Sequence, residues 1–110
     1  MDFKQLQILP NQKLLLISMC ADLFPNKTFE ICEVEDALFL TIDKSVRIHW
    51  LEFCMFHLSR AIAENYNTVY PDEKQAFIID LMMKKMLNFS KLDKVHPIDF
   101  LFEVYQKSNK

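Results

Sequence analysis

The chain contains no glycine at all. Phosphate-cradling loops and the strained nucleophile turn of serine hydrolases are built on glycines, so the commonest recognisable catalytic sites are excluded. Turns that need a positive φ must use Asn or Asp or be avoided, and helices must close on Asn, Lys or a following Pro. Connections between helices meet that limit more easily than the tight hairpins of a many-stranded sheet. Arginine is nearly as scarce: Arg47 and Arg60 are the two present, and Lys84-Lys85 is the only adjacent basic pair. With a net charge of −2, the clustered positive footprint of a nucleic-acid binder is missing. Carboxylates are not run together into a mimic of the DNA backbone either, because Ile31, Cys32 and Val34 interrupt the densest acidic stretch, Glu30 to Asp36.

Cysteine is sparse and odd in number. Cys20, Cys32 and Cys54 offer no even framework of disulfides and no Cys-x-x-Cys metal spacing. They are expected as buried thiols in a reducing cytosol. Long hydrophobic runs are missing too, since charges interrupt every apolar stretch well short of the ~20 residues of a membrane span. The opening Met1-Asp2-Phe3-Lys4-Gln5 lacks the regions of a signal peptide. The expected setting is therefore the cytoplasm, with no membrane and no nucleic-acid partner.

What is present is apolar mass. The 110 residues suit one domain spanning the whole chain, and 51% are hydrophobic, including ten Phe, three Tyr and one Trp. Folding a chain of this size buries roughly 65% of its extended surface. So high an apolar load in so small a domain is expected to leave some of it outside, where a partner would cover it.

Three helices read clearly. Asp43 is a good N-cap for a helix over 44–66, ended by Asn65 and Asn67. Pro71, followed by Asp72 and Glu73, opens a second that runs to Phe89. Pro97 opens a third that reaches Lys107. Residues 11–24 fit a helix capped by Asn11 and stopped by Pro25, and this is the favoured reading. The continuous apolar run Leu14–Ile17 leaves a strand open. Thr28–Val34 and Ala37–Ile42 make a hairpin turning at Glu35-Asp36. The expected fold is α+β and predominantly helical: an N-terminal helix or hairpin, a short β-hairpin, then three helices. An all-α bundle is the alternative.

The chemical constellations are thin. On a helix over 44–66, His49 and His57 stand two turns and about 80° apart and cannot share a metal without a third element. His49 and Glu52 run in the order His-x-x-Glu, the reverse of the Glu-x-x-His of di-metal bundles, and read as a solvated face. His96, before Pro97, reads as a helix-entry residue. Cys54 with His57 is a poor nucleophile pair, because a helix interior does not lower a thiol pKa. No catalytic, cofactor-binding or metal-ligating residue is assigned, and the protein is not expected to be an enzyme.

The informative pattern lies on two helices. On 44–66, Ile48, Leu51, Cys54, Met55, Leu58 and Ile62 form a core arc, opposed by Ser45, His49, Glu52, Ser59, Arg60 and Glu64. Phe53 and Phe56 sit within that polar arc. On the next helix Ile78, Ile79, Met82, Met83, Met86 and Phe89 face the core, and Phe77 and Leu81 form a second apolar stripe among Glu73, Asp80, Lys84 and Asn88. Either the N-terminal third covers these stripes as a further layer of core, or Phe53, Phe56, Phe77 and Leu81 form a protein interface with a partner or with a second copy. The methionines suit either role.

The opening Leu6-Gln7-Ile8-Leu9-Pro10-Asn11-Gln12-Lys13, running into Leu14–Ile17, resembles the N-terminus of structural proteins of crAss-like bacteriophages, with Gln12 where that pattern has glycine. The stretch His96-Pro97-Ile98-Asp99-Phe100-Leu101 is similar in character. The resemblance covers about a tenth of the chain. It implies a virion or assembly component without enzymatic activity, and strand over 6–17, but assigns no functional residue. Two functions follow as expectations. One is a non-enzymatic protein-binding or assembly protein, the other a small intracellular inhibitor or adaptor that blocks a host protein. Self-association separates them.

Overall fold

The computed structural model describes residues 8–72, 74–88 and 96–109. Helix α1 (Pro10–Leu23) leads into a meander of β1 (Phe29–Val34), β2 (Ala37–Ile42) and β3 (Val46–His49). Then come α2 (Trp50–Phe53), a π-helical segment (Cys54–Leu58) and α3 (Ser59–Val69), which run on as one continuous helix. Helices α4 (Gln75–Asn88) and α5 (Pro97–Ser108) complete the fold. It is a predominantly helical α+β architecture, and the sheet rules out the all-α bundle.

The N-terminal segment is helix. Pro10 supplies the first helical φ, and the Gln12 side chain accepts the Leu9 N–H at 2.9 Å, so Leu9 and Gln12 do the capping expected of Asn11. Residues 10–17 are thus helical where the phage resemblance implies strand. Residues 6 and 7 lie outside the described residues.

The sheet is antiparallel in the order β1-β2-β3. Val34 pairs with Ala37 across Glu35-Asp36, and Ile42 pairs with Val46 across Asp43-Lys44-Ser45. With no glycine to hand, both hairpins turn on ordinary residues in the left-handed region: Glu35 at φ 50°, Asp36 at 66°, Asp43 at 52° and Lys44 at 61°. Consecutive positive φ is the signature of the primed turns that match strand twist. Asp43 relieves part of its cost by accepting the Thr28 N–H at 2.9 Å, which ties the second turn to the start of β1.

This second hairpin corrects the largest sequence expectation. Residues 46–49 are strand, so the helix expected over 44–66 begins only at Trp50. Its N-cap is His49, whose Nδ1 accepts the Leu51 N–H at 3.3 Å, and not Asp43. Val-Arg-Ile-His fits a strand and a helical turn equally well by pattern, and pairing with β2 decides. Pro71 and Asp72 likewise form a turn rather than a first helical turn, and α4 starts at Gln75. The expected end of that helix, Phe89, lies outside the described residues. His96 is a helix-entry residue as expected: its Nδ1 accepts the Ile98 N–H at 3.1 Å ahead of Pro97.

The π segment sets which face of the long helix is buried. Before it, Trp50, Leu51 and Phe53 are buried; within it, Cys54 and Leu58 at its two ends are; after it, Ser59, Ile62 and Ala63 are. One extra residue in the turn advances the buried stripe by one position, about 100° of rotation. A straight wheel therefore misplaces Phe53 and Ser59, both assigned to the polar arc and both buried. The widened turn also disturbs the ladder: Ser59 N–H reaches back to the Cys54 carbonyl, and the Ser59 hydroxyl donates to the Met55 carbonyl. The side chain thus occupies an acceptor that a regular helix would give to the Ser59 N–H.

Helix α5 is held along its length. Gln12 of α1 donates to Asp99 at 3.1 Å, and Tyr105 donates to Asp22 of α1 at 2.6 Å. Asn65 of α3 donates to the Ser108 hydroxyl at 3.0 Å, and the Tyr70 hydroxyl donates to the Lys107 carbonyl at 3.1 Å. Ile98 and Leu101 join Leu16, Met19, Trp50, Leu58, Ile62 and Met82 in one core.

Replacing Ser59 by Ala is expected to lower unfolding free energy by about 1–3 kcal/mol, the cost of a buried acceptor left unmade. Thr68→Ala, whose exposed hydroxyl bonds the Glu64 carbonyl, should cost under about 0.5 kcal/mol. Urea titration of the two variants reads the difference. Asp36→Gly and Lys44→Gly should each raise stability, by roughly 0.5–1 kcal/mol, because relief of left-handed strain exceeds glycine's added chain entropy. A higher melting temperature for each checks this.

Candidate functional site

The chemistry-bearing side chains are scattered. Among the described residues, no group of three or more His, Cys, Asp or Glu could hold a metal ion. His49 and His96 are engaged as helix caps. Burial lowers the His49 pKa from its ordinary value, partly offset by the neighbouring Glu52 carboxylate. His57 is exposed on the π segment, its ring 5.4 Å from that of Phe53. Cys54 lies in the core with burial pushing its thiol pKa well up and Cys20 beside it adding to the effect. It is neither accessible nor a thiolate, so it makes no nucleophile with His57. Burial pushes Cys20 up to about 12. Cys32, expected to be buried, is only half-buried on β1. Tyr105 is also pushed up to about 12, by burial first and then by its hydrogen bond to the Asp22 carboxylate.

Two apolar features remain. The first is an open cleft of about 260 Å³ between the sheet and the long helix. Ile42, Val46 and Ile48 wall it on the sheet side. Phe24, Phe29 and Phe53 close it, their ring centroids 5.8–5.9 Å apart in tilted and edge-on contacts. Lys27 and His57 are its polar lining. Lys27 leans toward Asp43, with Nζ to Oδ2 3.9 Å.

The second is the outer face of the helical layer. The four residues read as interface divide. Phe53 is 3% exposed and belongs to the core, covered by Phe24 and Phe29 of the N-terminal third. Phe56, Phe77 and Leu81 stay 47%, 60% and 40% exposed. The π segment that turns Phe53 inward leaves Phe56 outside. Phe77 and Leu81 are four apart, neighbours on the outer side of α4, while Ile78 and Met82 face the core. Helix α4 packs on α3, α5 and the π segment, so both apolar elements belong to the same helical layer.

Sequence reasoning missed two surfaces. Leu14, 72% exposed on α1, was submerged in the run Leu14–Ile17, where only position within a confirmed helix separates it from buried Leu16. The cleft needs β3, whose residue pattern fits a helix as well; the spacing of Phe24 and Phe29 is the one available signal. No protein-family model, curated protein or solved structure matches the chain. No helix among the described residues is long and apolar enough to cross a membrane.

In the folded protein an excess of a thiol-specific disulfide reagent should label Cys32 and leave Cys20 and Cys54 unmodified until denaturant is added. Peptide mapping of the labelled sites checks this, since burial both hides the two thiols and holds them protonated.

Proposed function

We propose that this chain is a non-enzymatic protein-binding or assembly protein that docks through the outer face of its helical layer. The observation that carries the reading is the exposure of Phe77 and Leu81, a large apolar pair on one face of α4, with Phe56 on the adjoining π segment. A fully buried Phe contributes roughly 1.5–3 kcal/mol, so covering these rings supplies a strong share of an interface's energy. The described residues do not cover them, although apolar side chains of the N-terminal third bury Phe53. Exposed aromatic and aliphatic groups at helical spacing fit the anchor pattern of helix-mediated recognition.

The expected mode is assembly of copies or docking on a larger structure. The resemblance of residues 6–17 and 96–101 to crAss-like phage structural proteins points to a virion or assembly component. The helical form of α1 departs from what that resemblance implies, so the reading rests on the exposed face. A small inhibitor of one host protein would use the same face but remain a monomer alone.

Changing Phe77 and Leu81 together to Ser should leave the fold intact, with melting temperature within about 3 °C of the parent, as expected for exposed positions. Sedimentation should give a mass above 13.1 kDa for the parent and a monomer for the variant. A parent that stays monomeric at high concentration rules out self-assembly through this face. A double variant that unfolds shows the two residues to be core.

A further inference from the structure

Both helix-capping histidines meet the single tryptophan. Trp50 is 1% exposed and sits where β3 becomes α2. The His96 ring stacks on it at 5.5 Å with an interplanar angle of 15°, and the His49 ring lies at 6.1 Å. The His96 contact is long-range, joining the first turn of α5 to the first turn of α2. Each imidazole uses Nδ1 as the acceptor of a helix N-terminal amide, Leu51 for His49 and Ile98 for His96. An Nδ1 that accepts cannot carry a proton, so both caps exist only in the neutral ring. Both rings also lie at the positive ends of helices, which oppose a cation.

We propose that the His49–Trp50–His96 cluster is a proton-sensitive clasp, which holds the start of α5 on the start of α2 while both rings are neutral and releases it when they are protonated. Protonation removes the Nδ1 lone pair, ends the cap, and sets an imidazolium against the positive end of a helix dipole. Among the described residues, charged groups stand near both rings. Glu52, three residues into the long helix, favours the cation on His49. Arg47 lies two residues back on the same sheet face, and Phe39 of β2 presents an apolar ring at 5.6 Å. On α5, Asp99 lies in the first turn, its carboxylate already accepting from Gln12 of α1. The net direction at His49 is downward from its ordinary value. A histidine with a lowered folded pKa binds fewer protons folded than unfolded. Its contribution to stability is complete above about pH 6.5 and is lost as pH falls through the folded value.

The experiment follows Trp50 emission and amide exchange of Ile98 and Asp99, corrected for intrinsic rates, in the full chain between about pH 7.5 and about pH 5. Acid should quench the emission and speed exchange in this turn by about five- to thirtyfold, the population change expected when caps are lost. A His49→Asn/His96→Asn variant keeps side-chain caps that do not titrate, and should give flat profiles over the same range. Emission and exchange that stay constant in the parent overturn the proposal. So does an acid response that survives in the Asn variant, which would assign it to carboxylates. If the variant does not fold, NMR of the parent decides: the Ile98 amide resonance must titrate with the same midpoint as Trp50 emission, and an immobile or differently titrating resonance overturns the clasp.

Discussion

The structure turns on the passage from strand to helix at His49-Trp50. No loop residue separates β3 from α2, so the sheet and the long helix are fixed to one another by a single pair of backbone dihedrals and by the side chains around them. Trp50 enters the core at that pivot, His49 caps the helix it begins, and His96 lays the first turn of α5 over the indole. Because α5 in turn bonds to α1 and α3 along its length, its docking at Trp50 sets the spacing of the whole helical layer. A large aromatic side chain is well suited to such a site: it buries much area with few torsions, and its flat face accepts a stacked ring.

A second constraint is the extra residue in the long helix. Helices of 3.6 residues per turn drift relative to any fixed neighbour, and a π turn resets the phase. Here the reset lets one helix satisfy two partners. Its first turns face Phe24, Phe29 and the sheet, and its later turns face α4 and α5. Phe53 is drawn in and Phe56 is left out as a consequence. The exposed apolar face is thus partly a by-product of how the core was closed.

Glycine's absence shapes the sheet in the same way. Primed turns are made from Glu, Asp and Lys in the left-handed region, at a cost that the six-residue pairing of β1 with β2 and the bond from Asp43 to Thr28 offset. The meander is short, and α1 packs beside β1. The sheet thus works as a cover for one side of the long helix, and the cleft opens where that cover meets the helix.

By itself the sequence determined the helical character of residues 50–69, 75–88 and 97–108, the first hairpin with its turn at Glu35-Asp36, the start of α5 at Pro97, and the apolar pair Phe77 and Leu81. Each of these is a local matter: a periodicity, a proline, a spacing of four. Tertiary structure alone decided that residues 46–49 are strand, because their pattern serves either state and only β2 could claim them. It decided that Phe53 and Ser59 are buried, because a π turn depends on what the helix packs against and leaves no trace in the residue pattern. It also decided that His49 and His96, 47 positions apart, meet on one indole, because contact between the starts of two helices is a property of how the helices are laid together.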